Sequence, residues 1–305
     1  MGFVPTESVV MVSIGRGGPQ ARSDLPHDEA GASVLAAQLG HACAGHAVDR
    51  VVLVVYSEQP AGHAWLVRFL ASRLTAAGIS VLDCLGATPT GWMPLDPAHP
   101  FTGTGLREFD PSTHPYRTEA VWRGDVVLGS REEVAGLLEP CEQWVERVRR
   151  AGGAELDEGW TVEEVAAECA LLRDQLPGWV AAAGGGRAPD ERTTARLVRA
   201  VQVPRIRDEA WVGVERGEAR EHLEFWIGVL RATPAEGVGA VAGVVAQLAW
   251  LSGNGALAWC AVDRSTDAGG SSLTDLTRQL LTDAIAPVST SELEGAASSG
   301  PDPAA

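Results

Sequence analysis

Lysine is absent from this chain of 305 residues: its 24 Lys+Arg positions are all Arg, set against 40 Asp+Glu for a net charge of −16. That absence excludes a phosphate-gripping P-loop lysine, a Schiff-base lysine and a lysine general base. The negative balance argues against nucleic acid as a partner, because phosphate binding draws its affinity from clustered cations. The densest basic group, Arg147, Arg149 and Arg150, falls at the end of an expected helix, where cations complement the helix dipole.

Cysteine is scarce and unpatterned. The five residues Cys43, Cys84, Cys141, Cys169 and Cys260 form no C-x-x-C and are odd in number. Without a secretory leader, they read as buried thiols of a reduced, cytoplasmic protein. The longest apolar run, Val238 to Leu251, is interrupted by Gln247 and is too short to span a bilayer, so no membrane partner is expected. The start, Met1-Gly2-Phe3-Val4-Pro5-Thr6, fits the short N-myristoylation pattern and is set aside. There is no G-x-S-x-G and no H-E-x-x-H. Gly15-x-Gly17-Gly18-Pro19 has the wrong spacing for a dinucleotide fingerprint, and Pro19 replaces the helix start that would hold the phosphates. Tyrosine (2) and phenylalanine (5) are few; tryptophan (10) carries most of the aromatic burial.

What is present is an alternation of apolar runs and helical periodicity. Ser8 to Ile14, Arg50 to Tyr56 and Ile79 to Leu85 read as strands, with Arg22 to Pro26 as a short strand forming a hairpin with the first. Asp28 to Ala44, with Val34, Leu35 and Leu39 inward, reads as a helix. So does His63 to Ala77, with Leu66, Phe69, Leu70 and Leu74 inward. The order β–α–β–α–β predicts mostly parallel pairing in a small sheet flanked by helices. Thr88 to Pro115 is a long loop, and Glu119 to Leu128 reads as a hairpin. Ser130-Arg131-Glu132-Glu133 and Thr161-Val162-Glu163-Glu164 are capping boxes, predicting helices to about Arg149 and Leu176. Beyond them the chain reads as helical throughout: Asp190 to Val201, around Arg207 to Val214, Gly217 to Arg231, Val238 to Leu251, Ala256 to Ser265 and Leu273 to Ile285. Val238 to Leu251 is apolar nearly all round and is expected at the centre. The fold class is therefore an α/β N-terminal domain (1–128) followed by an all-α helical domain (129–286), with a disordered tail (287–305).

Several segments resemble the actinobacterial domain of unknown function 4192 family. They are Gly2-Phe3-x-Pro5-x-x-Ser8-Val9-Val10, Asp24-Leu25-Pro26, the V-V-x-V-x-Y strand ending at Tyr56, Asp83, Ser130-Arg131-Glu132-Glu133, Arg207-Asp208-x-Ala210, and Leu248-Ala249-Trp250-x-x-Gly253-Asn254-Gly255-Ala256. The matches run from residue 2 to about 285. The resemblance implies an architecture and no reaction, cofactor or partner. Members carry more chain ahead of G-F-x-P, which implies a start that is short or misassigned here. Many also carry a cysteine-rich loop after the third strand, where this chain has Trp92-Met93-Pro94-Leu95 and no Cys.

Two places invite function. The carboxyl ends of the strands gather Asp24, His27, Tyr56, Glu58 and Asp83, a polar crevice for a small molecule or an enzyme site. The plainer account makes Asp28 a helix cap and the others loop residues. In the helical half, Arg205, Arg207 and Asp208 suit a partner or an anion, or else an ion pair locking two helices. His41-x-Cys43-x-x-His46 with Asp49 has zinc-ligand types but fits a helix C-terminus better, and the loop residues Asp96, His99, Asp110 and His114 fit an extended loop. Cys84 fits an inert buried thiol. No metal and no cofactor are expected. With the familiar catalytic constellations missing, the chain is expected to be a binding or protein-interaction module, the alternative being a small-molecule-binding protein or enzyme at the strand ends.

Overall fold

In the computed structural model, described for residues 5–15, 20–110, 130–154, 159–186 and 189–287, the first strand runs antiparallel to both of its neighbours. Strand β1 (Ser8–Ser13) pairs with β2 (Gln20–Asp24) as the expected hairpin, Ser8 opposite Asp24. That hairpin reverses the chain before helix α1 (Glu29–Gly45), so β3 (Arg50–Tyr56) comes back antiparallel to β1, Ser8 opposite Tyr56. Helix α2 (Ala64–Ala76) then returns the chain to β4 (Ser80–Thr88), parallel to β3. Strands β5 (Gly91–Pro94) and β6 (Arg107–Glu108) follow antiparallel. The order is β2-β1-β3-β4-β5-β6. The expectation of a mostly parallel sheet is thus corrected: the sheet is mixed and mostly antiparallel, because the hairpin turned the first crossover round.

Strand alternation divides the sheet faces. Val9, Met11, Val51, Leu53, Val55 and Cys84 face α1 and α2 and form one core with Leu35, Leu39, Leu66, Leu70 and Leu74. Val34, expected inward, is exposed, because the buried stripe of α1 runs through Ala32, Leu35, Ala36 and Leu39, one position round the helix. Asp28 caps α1, its side chain accepting from the Gly31 N–H at 2.8 Å.

The chain falls into two compact units, Phe3–Ser130 with Thr282–Ala286 and, separately, Arg131–Leu281. In the second, α3 (Arg131–Gly136) begins directly after Ser130 and ends before Pro140; α4 (Glu142–Val148) follows. Proline lacks the N–H that would continue the helix and pushes the preceding residue out of the helical region, which breaks the single helix expected there. Thr161 forms the predicted capping box with Glu164 at the start of α5 (Val162–Gly184). That helix runs through Pro177, where the sequence suggested a stop. Burial of Leu172, Leu176 and Val180 on either side offsets the cost of about 3 kcal/mol for an interior proline. Then come α6 (Glu191–Ala200), α7 (Pro204–Asp208), α8 (Ala219–Arg231), α9 (Val238–Leu251), α10 (Gly255–Asp267) and α11 (Ser272–Thr282). Every residue of α9 is buried, as its all-round apolarity predicted. The hairpin expected at 119–128 and all but the first residue of the tail expected at 287–305 lie outside the described residues.

Candidate functional site

The carboxyl ends of β2, β3 and β4 do meet at one edge of the sheet. Asp24, Ser8, Tyr56 and Ala87 lie side by side across four strands, followed by Trp92 and Arg107 in the same row. Alternation puts this row on the face opposite the α1–α2 core. Asp24 is 75% exposed and ion-paired to Arg22 at 3.0 Å. His27 and Glu58 are exposed, and the Glu58 N–H donates to Glu7 Oε1 at 3.1 Å. Tyr56 is half-buried, and that burial pushes its phenol above the ordinary value.

Asp83 does not join them. Strand β4 continues to Thr88, beyond the end at Leu85 that the sequence suggested, so Asp83 lies opposite Val52. At about 3.3 Å per residue, it sits about 13 Å along the strand from the Tyr56 row. There it faces His99 of the long loop, Oδ2 to Nε2 3.6 Å, while its Oδ1 accepts from the Cys84 N–H at 2.8 Å. The Phe101 N–H donates to His99 Nδ1 at 3.1 Å, which leaves the ring proton on Nε2, toward Asp83. His99 thus joins the loop backbone at Nδ1 and turns Nε2 toward the Asp83 carboxylate. Arg107 stacks on Phe101 at 4.3 Å and on Trp92 at 5.7 Å in the same cluster. The Cys84 thiol is pushed up to about 11, first by burial and then by Asp96 and Asp83, as befits an inert thiol.

The zinc-type residues also diverge. His41 is exposed, Cys43 is buried in the core with its sulfur 3.6 Å from that of Met11, and His46 Nε2 bonds the Ala284 carbonyl. Among the described residues, no group of three His, Cys, Asp or Glu is placed to hold a metal ion. Of the helical candidates, Arg205 is exposed. Arg207 is only 6% exposed; its Nε and Nη2 donate to Asp208 Oδ1 at 3.2 and 2.9 Å, and Nη1 donates to Ser272 Oγ at 3.1 Å. The Ser272 bond ties α7 to the first residue of α11, whereas the ion pair with Asp208, expected to lock two helices, joins neighbours within α7.

A site that the sequence did not single out lies in the helical unit. A cleft of ≈ 370 Å³ is lined by Trp160, Glu168, Arg196 and Arg199. Glu168 projects from α5 beside the buried stripe of Cys169, Leu172 and Leu176, and is itself 5% exposed. Arg196 of α6 grips it with two parallel bonds, Nε to Oε1 2.7 Å and Nη2 to Oε2 2.6 Å. That hydrogen-bonded carboxylate holds the Arg196 guanidinium above its ordinary value. Arg199 stands one turn further on, because residues three apart share a helix face. The inner face of α6, Leu197, Val198 and Ala200, is buried and fixes both arginines toward the cleft rim. The legible signal was an acidic residue on a core-facing stripe of α5. Its partner 28 residues away was not legible.

The family model described as a domain of unknown function (DUF4192) matches residues 1–288. The chain belongs to that family. No curated protein and no solved structure matches it. No helix among the described residues is long and apolar enough to cross a membrane.

Proposed function

We propose that this DUF4192 protein is a binding module whose ligand occupies the α5–α6 cleft of the helical unit. The observation that carries the proposal is the buried Glu168 held bidentate by Arg196 in a cleft of ≈ 370 Å³, with Trp160 and Arg199 alongside. A concave site with an aromatic wall and a few converging polar groups is the usual form of a small-ligand site, and the volume lies within the ~300–1,000 Å³ such sites occupy. A side chain that is fixed by a second, buried one is preorganised, so little ordering cost falls on the ligand. The proposal includes a cytoplasmic setting, which the five free thiols support, and excludes nucleic acid, which the −16 charge disfavours. Arg205 is kept as a contact for a protein partner, whereas burial of Arg207 removes it from that role.

The test is a thermal-shift screen of a small-molecule library against the native chain and Trp160→Leu. Ligands that raise the melting temperature of the first and much less that of the second support the cleft. A library whose every stabiliser acts equally on both would overturn it.

A further inference from the structure

Resting on the cleft as the binding site, we infer that its ligand is a neutral, flat heterocycle with two adjacent hydrogen-bond acceptors, the pattern carried by the O6/N7 edge of guanine. The acceptors meet Arg196, and the ring lies against Trp160.

Charge excludes the ionic classes. Glu168 cancels Arg196 through bonds of 2.7 and 2.6 Å, and Arg199 already has a partner within the chain. Among the described residues that line the cleft, no spare cation is left to neutralise an anion, and the net charge of −16 repels one. A cation meets the Arg196 charge and finds both Glu168 oxygens taken. Either ion would add an unbalanced charge beside a glutamate that is itself buried. A neutral ligand avoids that cost.

Donor geometry sets the acceptor pattern. A guanidinium is planar and holds its N–H donors in fixed directions. Glu168 takes the side fork of Arg196, Nε with Nη2. The end fork, Nη1 with the second Nη2 hydrogen, is left on the edge turned away from the carboxylate. Nothing among the described residues accepts from Nη1, and the side chain is 49% exposed, so that edge is open to a ligand. Two parallel donors suit two acceptors side by side in one plane, which is how arginine reads O6 and N7 of guanine. Glu168 is thus a positioning residue: it holds the Arg196 plane without touching the ligand.

The wall of the cleft fits the same class. Trp160 is half-buried and offers its indole face, on which flat heterocycles stack. A purine ring system fits within ≈ 370 Å³. Arg196 then reads the edge of the ring while Trp160 covers its face, and the two contacts together fix its orientation.

Isothermal titration of the full chain with guanosine, 7-deazaguanosine, adenosine and guanosine monophosphate tests this. Guanosine is expected to bind. The deaza compound lacks the N7 acceptor and adenosine has a donor in place of O6, so each should bind about tenfold weaker or worse. The monophosphate should bind no tighter than guanosine, and added salt should leave guanosine binding unchanged, because no ionic contact forms. Trp160→Leu should weaken guanosine about tenfold. Arg196→Met combined with Glu168→Met should remove the preference for guanosine over 7-deazaguanosine. If that double variant does not fold, Trp160→Leu, at a half-exposed position, carries the comparison. Equal binding of guanosine with 7-deazaguanosine or adenosine overturns the paired-acceptor class. Tighter, salt-sensitive binding of the monophosphate overturns neutrality, and failure of guanosine to bind overturns the inference outright. In each case, a library ligand still lost on Trp160→Leu leaves the cleft standing. If no ligand responds to that substitution, the binding-site reading falls with it.

Discussion

Glu168 and Arg196 show how one residue depends on its partner. The glutamate side chain is 6% exposed and the arginine side chain 49%, so the pair is lopsided: removing the arginine strands a buried charge. Arg196→Met should lower stability by about 2 kcal/mol, discounted from the fully buried case because the arginine is half in water. Arg196→Met combined with Glu168→Met should recover most of that loss, as urea unfolding of the three chains will read. A second residue-scale effect belongs to His222. Its Nδ1 is buried without a partner among the described residues, and burial depresses its affinity for a proton, against the smaller opposing pull of Glu218 and Glu221. The unfolded chain takes that proton near pH 6.5, the folded chain only below it. Between those two values the unfolded state binds more protons, so stability falls as pH drops below about 6.5. The urea midpoint should decline from pH 7.5 to pH 5.5, and His222→Gln should flatten the decline.

At the scale of elements, α9 is where helix propensity and packing oppose one another. A Cβ at Gly243 would meet Ser271 Oγ at 2.6 Å and Thr274 Oγ1 at 3.0 Å. Those hydroxyls are already bonded to each other at 2.8 Å, and Thr274 to Ser265, which in turn donates to the Gly239 carbonyl at 2.6 Å. At Gly239 the obstacle is backbone, Ala268 O at 2.9 Å and Gly270 O at 3.1 Å, which yields less than a side chain. Gly239→Ala should therefore destabilise by about 2–3 kcal/mol and Gly243→Ala by about 1–2, despite the roughly 1 kcal/mol that alanine gains in a helix. Gly228 of α8 has open space at its Cβ. Gly228→Ala should stabilise by about 0.5–1 kcal/mol. Thermal unfolding of the three variants separates close approach from propensity.

For the molecule as a whole, charge and thiols set the working conditions. All five cysteines are free, so reductant should leave the melting temperature unchanged within error, and a drop on adding dithiothreitol would contradict that assignment. The path of the chain is also a whole-molecule property: it leaves the α/β unit after Ser130 and rejoins it at Thr282–Ala286, where His46 holds the Ala284 carbonyl. Nothing in the pattern of residues 272–286 marks that return, because a run of helical periodicity does not say which core its last turn serves.

The separation between sequence and structure follows the range of the forces involved. Composition by itself excluded lysine chemistry. Local periodicity and capping by themselves placed α1, α2, α9 and the start of α5, and the β1–β2 hairpin, since these depend on neighbours within a few positions. Strand direction was not local: the hairpin was legible, but its consequence, β3 antiparallel to β1, needed the whole sheet. Asp83 was displaced from the strand-end group because hydrogen bonding to β3 and β5 extends β4 past the break in its apolar pattern. Only the tertiary structure brought Glu168 to Arg196, since a buried ion pair between two helices is selected by packing and leaves no spacing in the sequence to find.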